Sequence, residues 1–294
     1  MASDVWTAVD IPDQTGRRIV ITGGNSGIGK WAATQLARAG AQVIIAVRDL
    51  TRGRQAASEI GASAEVCELD LADLSSVRAF AEQDTRPIDV LINNAGLMAP
   101  PLGRTKDGFE LQFGVNHLGH FALTNLLLPR ITDRVVTVSS GAHRRGRIEL
   151  ADLNWTSRRY QPWLAYGQSK LANLLFTLEL ERRLTESGSP VRALAAHPGW
   201  AATNLQGRTG NRLGDWVVLQ ANRFFAQSAE MGALPLAYAA TMDIPGGSYV
   251  GPGGRREMSG YPTLVGRTAA ASDTGMARRL WAASEELTGI GYPL

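Results

Sequence analysis

The segment YGQSK contains two side chains, Tyr166 and Lys170, whose types and spacing could catalyse a proton transfer. Residues at positions i and i+4 of a helix lie on one face, and the apolar residues after Lys170 recur with helical periodicity. Tyrosine has an ordinary pKa of about 10 and exchanges protons poorly near neutral pH. A neighbouring ammonium favours the phenolate and lowers that pKa. The motif alone also fits an ordinary amphipathic helix, so it predicts acid/base chemistry only in combination with its surroundings.

Those surroundings include polar residues at the ends of apolar, strand-like runs. VVTVSSG ends in Ser139 and Ser140, and a hydroxyl there could donate a hydrogen bond to a substrate oxygen as charge develops. NNAG ends the run IDVLIN, Asn116 lies in a helical segment, and PGWAAT follows VRALAAH. Open α/β sheets bind ligands at the carboxyl ends of their strands. The four segments therefore predict one shared site.

A glycine-rich loop follows the first apolar run. The segment TGGNSGIGK has the pattern TGxxxGxG, with Gly23, Gly27 and Gly29 between a predicted strand and a predicted helix. Glycine lets the backbone turn sharply and approach a pyrophosphate, and the N-terminus of the helix attracts the phosphate charge. The spacing differs from GxGxxG, so only the mechanism transfers. A dinucleotide site is predicted.

The end of the second predicted strand, AVRD, bears on which dinucleotide binds. NAD sites usually place an acidic residue at this point to bind the ribose 2′-hydroxyl. Here Val47 is followed by Arg48, whose guanidinium can pair with a 2′-phosphate, and Lys30 could add charge. Asp49 argues the other way, since a small shift in register would restore an acid. We expect NADP(H) to be favoured over NAD(H).

The elements that position these residues alternate along the chain. Short β-branched runs are separated by helix-compatible stretches, which predicts right-handed βαβ crossovers and a parallel sheet covered on both faces. We predict one doubly wound, Rossmann-type α/β domain over 1–294 with a mostly seven-stranded parallel sheet. Its cofactor-binding and catalytic core spans 17–203, and 204–230 form a small substrate flap. The predicted strands are 17–22, 41–47, 64–69, 88–93, 134–139, 191–197 and a final one in GGSYVGPGG.

Composition excludes several classes of protein. A formal net charge of +3, spread along the chain, argues against nucleic-acid binding. Cys67 is the single cysteine, so no intrachain disulfide forms, and the four histidines are too dispersed to predict a metal site. We see no secretory signal and no run of ~18 apolar residues that would predict a membrane span. We therefore expect a cytoplasmic protein that acts on a small molecule.

Taken together, these motifs resemble those of the short-chain dehydrogenase/reductase family over roughly residues 17–203. Its markers are TGGNSGIG, Asp70 in ELDLAD, NNAG, Asn116, the serine pair, YGQSK and PGWAAT. The segments TGGNSGIGK, AVRD, VNHLGH and VSSGAH look most like the retinol-dehydrogenase-like branch. Members of that branch tend to use NADP(H) and lipophilic substrates.

The resemblance implies a role for each matching residue. Tyr166 is the general acid/base, Lys170 lowers its pKa and holds the nicotinamide ribose, and Ser140 polarises the substrate oxygen. Asn116 supports a water in a proton relay through Lys170. Ser140 is preferred to Ser139 by motif position, although one register step would exchange them. Asp70 contacts the adenine, Asn93 and Gly96 line the cofactor groove, and Thr203 meets the carboxamide. The full set of predicted cofactor contacts is Gly23, Asn25, Ser26, Gly27, Ile28, Gly29, Arg48, Asp70, Leu71, Asn93, Ala95, Gly96, Tyr166, Lys170, Pro198, Gly199 and Thr203.

The family pattern is interrupted between Ser140 and Tyr166 by a longer segment, 142–162. Its five arginines predict a solvated loop face, with an anion-binding patch for substrate as the alternative; they are Arg144, Arg145, Arg147, Arg158 and Arg159. The helix bearing Tyr166 could pair across a homo-oligomer axis or be shielded by this segment.

Three functions are compatible with the motifs. An active enzyme would interconvert an alcohol and a carbonyl compound, with an apolar substrate pocket built by the aromatic residues of 200–225. A non-catalytic dinucleotide sensor is the second possibility, but such a protein would be expected to lose Tyr166, Lys170 or Ser140. Reduction of an activated C=C bond is the third.

Overall fold

Eight strands form the central sheet in a computed structural model of the chain, which describes residues 5–200 and 228–294. Their order is β3-β2-β1-β4-β5-β6-β7-β8, and every neighbouring pair is parallel except β7 and β8. The doubly wound α/β fold is thereby confirmed, with one more strand than predicted. The strands are β1 Arg18–Thr22, β2 Gln42–Val47, β3 Ala64–Glu68, β4 Ile88–Asn93, β5 Ile131–Val138, β6 Arg192–Ala196, β7 Tyr249–Pro252 and β8 Pro262–Leu264.

The additional strand, β8, is short and antiparallel. The glycine-rich turn after β7 was predicted, and the chain then pairs back along β7, with Val250 opposite Leu264. Only three residues take part, and two of them are exposed. A run of that length gives no recognisable alternation in the sequence.

Helices cover both faces of the sheet. Alternate residues of β1 show this arrangement: Ile19 and Ile21 belong to the apolar cluster on one face, with Leu36, whereas Val20 belongs to the cluster on the other face, with Phe121. Burial on both faces explains why the strands read as continuous apolar runs. The helices are α1 Gly27–Arg38, α2 Leu50–Ile60, α3 Leu74–Gln83, α4 Leu111–Phe113, α5 Gly119–Leu127, α6 Pro162–Glu186, α7 Ala229–Thr241 and α8 Thr274–Thr288, with a π-helical turn Gly114–Leu118 joining α4 to α5.

Helix α8 packs along α6. The Trp281 ring stacks on Phe176 with centroids 5.6 Å apart, and it meets Phe121 of α5 edge-on at 4.9 Å. The Arg183 guanidinium lies 4.6 Å from the Trp281 ring centroid. One face of the helix that bears Tyr166 is therefore covered by the chain's own residues.

The substrate flap predicted at 204–230 lies outside the described residues except at its end, where Ser228 caps α7. Thr203 also lies outside them. Within 5–200 and 228–294, no helix has the length and apolarity that crossing a bilayer requires. The same residues contain no cluster of three or more metal-ligating side chains.

Candidate active site

The strand order reverses beside β1, which pairs with β2 on one side and β4 on the other. Chain connections leave in opposite directions at such a point and open a crevice at the carboxyl ends of the strands. The glycine-rich loop follows β1, NNAG follows β4, and Ser140 follows β5. The topology therefore brings the predicted motifs to one edge of the sheet.

The glycine-rich loop is held against NNAG. The Thr22 hydroxyl accepts hydrogen bonds from the backbone N–H groups of Asn94 and Ala95, each at 2.9 Å. The Asn94 amide donates to the Thr22 carbonyl oxygen at 2.8 Å. Gly23 has a φ of +69°, and a Cβ on Gly29 would lie 2.4 Å from Nδ2 of Asn94. This backbone geometry excludes larger residues and fits a cradle for a pyrophosphate.

Helix α1 begins at Gly27, next to that cradle. Gly27 has a φ of +54°, and the helix follows without a side-chain hydrogen bond from its N-cap residue, Ser26. Asn25 is half-buried, and Ile28 packs on the core under α1. The N–H groups of a first helical turn have no partner within their own helix, so they are available to an anion.

The two residues after β2 that bear on the choice of cofactor, Arg48 and Asp49, have different surroundings. Arg48 is exposed there, whereas the Asp49 carboxylate caps α2 by accepting a hydrogen bond from the Arg52 N–H at 3.1 Å. Asp49 also pairs with the Arg52 side chain at 3.6 Å. Lys30 forms an ion pair with Glu59. Asp49, whose acidic side chain would favour NAD(H), is therefore engaged by α2, the helix that it precedes.

Asp70 and Leu71, the residues predicted near the adenine, follow β3. The Asp70 carboxylate accepts a hydrogen bond from the Ala72 N–H at 2.9 Å. Leu71 is buried against Gly119 of α5, where a Cβ would lie 2.6 Å from the Leu71 carbonyl oxygen. Both residues therefore have fixed positions at the carboxyl edge.

Asn116 lies in the π-helical turn and ties the segment after β4 to α6. Its Oδ1 accepts from the Leu97 N–H at 2.7 Å, and its Nδ2 donates to the Leu97 carbonyl oxygen at 3.0 Å and to the Ser169 hydroxyl at 2.9 Å. A Cβ on Gly96 would lie 3.1 Å from Asn116 Oδ1 and 3.6 Å from Lys170 Nζ. Gly96 thus leaves space beside the lysine.

Asn93, which is predicted to line the cofactor groove, directs its side chain towards α5. It is buried, and its Nδ2 donates to the Thr124 hydroxyl of α5 at 2.8 Å. Inward-facing residues of a strand alternate with outward-facing ones, so the asparagine that reaches the loop is the next one, Asn94.

Tyr166, Lys170 and Ser140 come together at the start of α6. Lys170 Nζ lies 5.8 Å from the centre of the Tyr166 ring and donates to the Val138 carbonyl oxygen at 3.1 Å. The Ser140 hydroxyl lies close enough to Tyr166 to affect its pKa, and it accepts a hydrogen bond from the Ala142 N–H at 3.2 Å. The Ser139 hydroxyl instead donates to the Lys170 carbonyl oxygen at 2.8 Å, which turns it towards α6.

Burial dominates the proton affinities of this pair. It raises the pKa of Tyr166 to about 12, and the Ser140 hydroxyl lowers that pKa in part. It lowers the pKa of Lys170 to about 8. The net shift for the tyrosine is opposite to the sequence-based expectation, because the cost of burying a phenolate outweighs the effect of Ser140. At neutral pH the tyrosine holds its proton and the lysine is mostly charged.

Similarity to known proteins agrees with this geometry. The sequence model described as short chain dehydrogenase matches residues 17–213. The chain belongs to this family. It is 42% identical to human retinol dehydrogenase 13, over 95% of this chain and 86% of that protein, and 41% identical to mouse polyprenol dehydrogenase, over 96% and 86%. A crystal structure of an uncharacterised protein from Mycobacterium paratuberculosis superposes with a TM-score of 0.87 at 57% identity, covering 99% of this chain and 100% of that one.

These relatives place the chain in the retinol-dehydrogenase-like branch of the family. It is an NAD(P)-dependent oxidoreductase that acts on CH–OH or C=O groups.

The 142–162 segment of the dehydrogenase is anchored to α6. The buried Asp152 carboxylate accepts hydrogen bonds from the backbone and hydroxyl groups of Thr156 and Ser157 at 2.6 to 3.2 Å. The Arg158 guanidinium lies 3.7 Å from the Trp155 ring centroid and donates to Oε1 of Gln168 at 2.6 Å. The loop is therefore held in place beside the helix that bears Tyr166.

The expectation of a solvated arginine face is wrong for Arg158, which is half-buried in these contacts. It holds for the other four, which are exposed; they are Arg144, Arg145, Arg147 and Arg159. Arginine at a loop position gives no sign in the sequence of whether an aromatic ring will cover it.

Two polar side chains that organise the site, Asn94 and His120, are absent from the set predicted from the sequence. The position of Asn94 in NNAG, directly after a strand, is a signal that could have indicated its role. His120 bridges the Thr22 hydroxyl, at 2.8 Å, and the Asn116 carbonyl oxygen, at 3.1 Å. Burial lowers the pKa of His120 to about 4, so it is neutral and acts as a hydrogen-bonding spacer.

Proposed function

We propose that this dehydrogenase uses NADP(H) to interconvert an alcohol and a ketone or aldehyde of lipophilic character, with Tyr166 as general acid/base. The observation that carries the proposal is the convergence of Tyr166, Lys170 and Ser140 in one buried cluster at the carboxyl edge of the sheet. A hydroxyl acid, an ammonium and a second hydroxyl are the groups that carbonyl reduction needs.

The proton chemistry follows from the two pKa values. In carbonyl reduction, Tyr166 donates the proton that its raised pKa retains, while Ser140 donates a hydrogen bond to the same substrate oxygen. The Lys170 ammonium stabilises the phenolate that remains, because opposite charges attract strongly where water is excluded. In alcohol oxidation the same groups act in reverse, and the phenolate accepts the hydroxyl proton.

The cofactor would be held by residues that already fit its shape. The cradle of Gly23, Gly27 and Gly29 would take the pyrophosphate, because a Cβ on Gly23 or Gly29 would crowd Ala95 or Asn94. The space beside Gly96 and Lys170 would take the nicotinamide ribose. When bound, the dinucleotide supplies or accepts the hydride. The remaining predicted contacts, including Asp70, Pro198, Gly199 and Thr203, stay predictions, as does the proton relay through Asn116.

Preference for NADP(H) rests on the end of β2. The exposed Arg48 can meet a 2′-phosphate, whereas Asp49 is engaged with α2 and would repel that phosphate less than a free carboxylate. The bidentate pairing of guanidinium and phosphate makes Arg48 the residue on which the preference should depend.

Two observations favour a lipophilic substrate. The similar proteins include dehydrogenases named for retinol and polyprenol. In this chain Trp163, one turn before Tyr166, is 45% exposed with its ring 6.2 Å from the tyrosine ring, and Leu164 is also exposed. Apolar surface beside a catalytic group suits an apolar ligand. The cytoplasmic location and a homo-oligomeric state stay predictions.

The test is a panel of alcohols, ketones, aldehydes and activated alkenes, assayed with NADPH and NADH in parallel. We expect turnover of alcohols or carbonyl compounds with NADPH favoured, loss of turnover in Tyr166→Phe, and loss of the NADPH preference in Arg48→Ala. Arg54→Ala removes an exposed arginine from α2 and serves as the matched control. An Arg48→Ala enzyme with unchanged preference would contradict the cofactor argument. NADPH binding without turnover of any compound, unaffected by Tyr166→Phe, would identify a sensor instead, and saturated C–C products would identify an alkene reductase.

A further inference from the structure

The turn between β7 and β8 has a strained backbone. Arg256 and Glu257, within the 3₁₀ turn Arg255–Glu257, have φ angles of +55° and +57°. The left-handed region costs a residue with a side chain roughly 1 kcal/mol, so two in succession persist only where contacts hold them.

One oxygen of Glu257 meets His197, at the end of β6. The Gly199 N–H donates to Nδ1 of His197 at 3.2 Å, and an amide N–H can only donate. Nδ1 is therefore unprotonated, and the ring proton is on Nε2, which lies 3.1 Å from Oε2 of Glu257. Burial lowers the pKa of His197 to about 4, so the ring is neutral at pH 7. The carboxylate thus lies beside the protonated nitrogen of a buried ring without hydrogen-bond geometry, and the ring in turn accepts a hydrogen bond from Gly199.

The other oxygen of Glu257 meets the segment that bears the catalytic serine. Arg144 donates to Oε1 of Glu257 at 2.8 Å. Arg144 belongs to the 3₁₀ turn Gly141–Arg145, whose N-cap residue is Ser140. Within this turn, Nδ1 of His143 lies 2.7 Å from the Ser140 carbonyl oxygen and donates to it.

The residue after Glu257 adds two contacts to the same place. The Met258 carbonyl oxygen accepts from the Trp200 N–H at 2.8 Å. A Cβ on Gly199, where φ is +66°, would lie 2.5 Å from that oxygen. The β7–β8 turn therefore contacts both Gly199 and Trp200 through the Met258 carbonyl oxygen.

We propose that Glu257 is a positioning residue: it fixes the Ser140 turn and the Pro198–Gly199 turn relative to each other through Arg144 and His197. The inference rests on the proposed function, in which Ser140 meets the substrate oxygen and Pro198–Gly199 meets the cofactor. Glu257 touches neither reactant. It sets the distance between the groups that do, and small misplacements of reacting groups have large effects on rate.

The two oxygens make the proposal testable with graded variants. Glu257→Gln keeps a side chain of the same size beside His197 and loses the charge that holds Arg144, whereas Glu257→Ala removes both contacts. We expect Glu257→Ala to raise the Kd for NADPH and lower kcat by about tenfold each, and Glu257→Gln to lie between it and wild type. The pH profile of kcat should keep its apparent pKa, because Glu257 transfers no proton.

A double-mutant cycle separates positioning from general loss of structure. Arg144→Ala should lower kcat in wild type and have no further effect in Glu257→Ala, since the contact is already lost. Glu186→Gln breaks an ion pair with Arg182 at the far end of α6 and is the matched control, expected to keep wild-type kinetics. Thermal unfolding checks each variant, and if Glu257→Ala does not fold, the cycle is carried out with Glu257→Gln.

Wild-type Kd and kcat in folded Glu257→Ala, or additive effects of the Arg144 and Glu257 changes, would overturn the proposal. Absence of turnover by the wild-type enzyme would instead refute the proposed function. A shifted apparent pKa in Glu257→Gln would show proton transfer and would also overturn positioning.

Discussion

The cradle around Gly29 allows a quantitative prediction for Gly29→Ala. The new Cβ would lie 2.4 Å from Asn94 Nδ2 and 2.7 Å from the Gly23 carbonyl oxygen, so the Asn94 side chain must leave its 2.8 Å hydrogen bond to Thr22. The lost hydrogen bond costs about 1 kcal/mol, and the overpacking of backbone against backbone costs a further 1 to 3 kcal/mol, roughly. Alanine in a helix gains about 1 kcal/mol over glycine. The free energy of unfolding should therefore fall by about 1 to 3 kcal/mol.

Calorimetry and cofactor titration measure the two consequences. For a chain of this size we expect the Tm to fall by about 2 to 6 °C, at roughly 2 °C per kcal/mol. The Kd for NADPH should rise up to about tenfold for each 1.4 kcal/mol of distortion retained in the complex. Gly275→Ala is the control, because its Cβ in α8 would meet only the end of the Asp273 side chain, at 3.3 Å. A Gly29→Ala protein as stable as wild type, with unchanged NADPH affinity, would refute the reasoning.

Three further predictions concern α6 and the elements packed on it. The rate of carbonyl reduction should fall as pH rises through about 8, because Lys170 then loses the ammonium proton that stabilises the Tyr166 phenolate; a pH–kcat profile checks this, and a flat profile from pH 7 to 9 would exclude it. Asp152→Ala should lower the free energy of unfolding by about 2 to 4 kcal/mol in urea titrations, since backbone N–H groups lose their acceptor. The Thr156 backbone and hydroxyl groups hold the pKa of Asp152 below its ordinary value, so its contribution should be present above about pH 4 and lost as pH falls further. Trp281→Ala should cost roughly 3 to 5 kcal/mol in the same titration, and an effect below about 1 kcal/mol would contradict the packing of α8 on α6.

The sheet could be predicted from the sequence because its signals are local. The segments VLI and VIIAV are apolar throughout, and they lie within the strands Ile88–Asn93 and Gln42–Val47. The same holds for YGQSK, where helical spacing alone places Tyr166 and Lys170 on one face. β8 has only three residues and no periodicity to detect.

The connections within the site could not be predicted in the same way. Glu257 follows Arg144 and His197 at long range in the chain, and neither spacing nor residue type pairs a carboxylate with a particular arginine or histidine across that separation. The raised pKa of Tyr166 is a second example, because it depends on burial by surrounding elements and not on the neighbouring lysine. Contacts between residues far apart in the sequence depend on the topology of the fold, and the type of a single residue does not indicate them.

The packing of α8 on α6 also bears on how the enzyme is made. His117 Nε2, next to Asn116, lies 2.9 Å from the Ser284 hydroxyl, so the turn that carries Asn116 is tied to a helix synthesised long after Tyr166. Until that helix emerges from the ribosome, Phe121 and Phe176 lack the Trp281 ring that covers them. The helix that bears Tyr166 therefore spends part of its synthesis with exposed aromatic surface, to which a chaperone or another nascent chain can bind. Changes that weaken α8 should consequently reduce the yield of folded enzyme before they reduce the activity of each molecule.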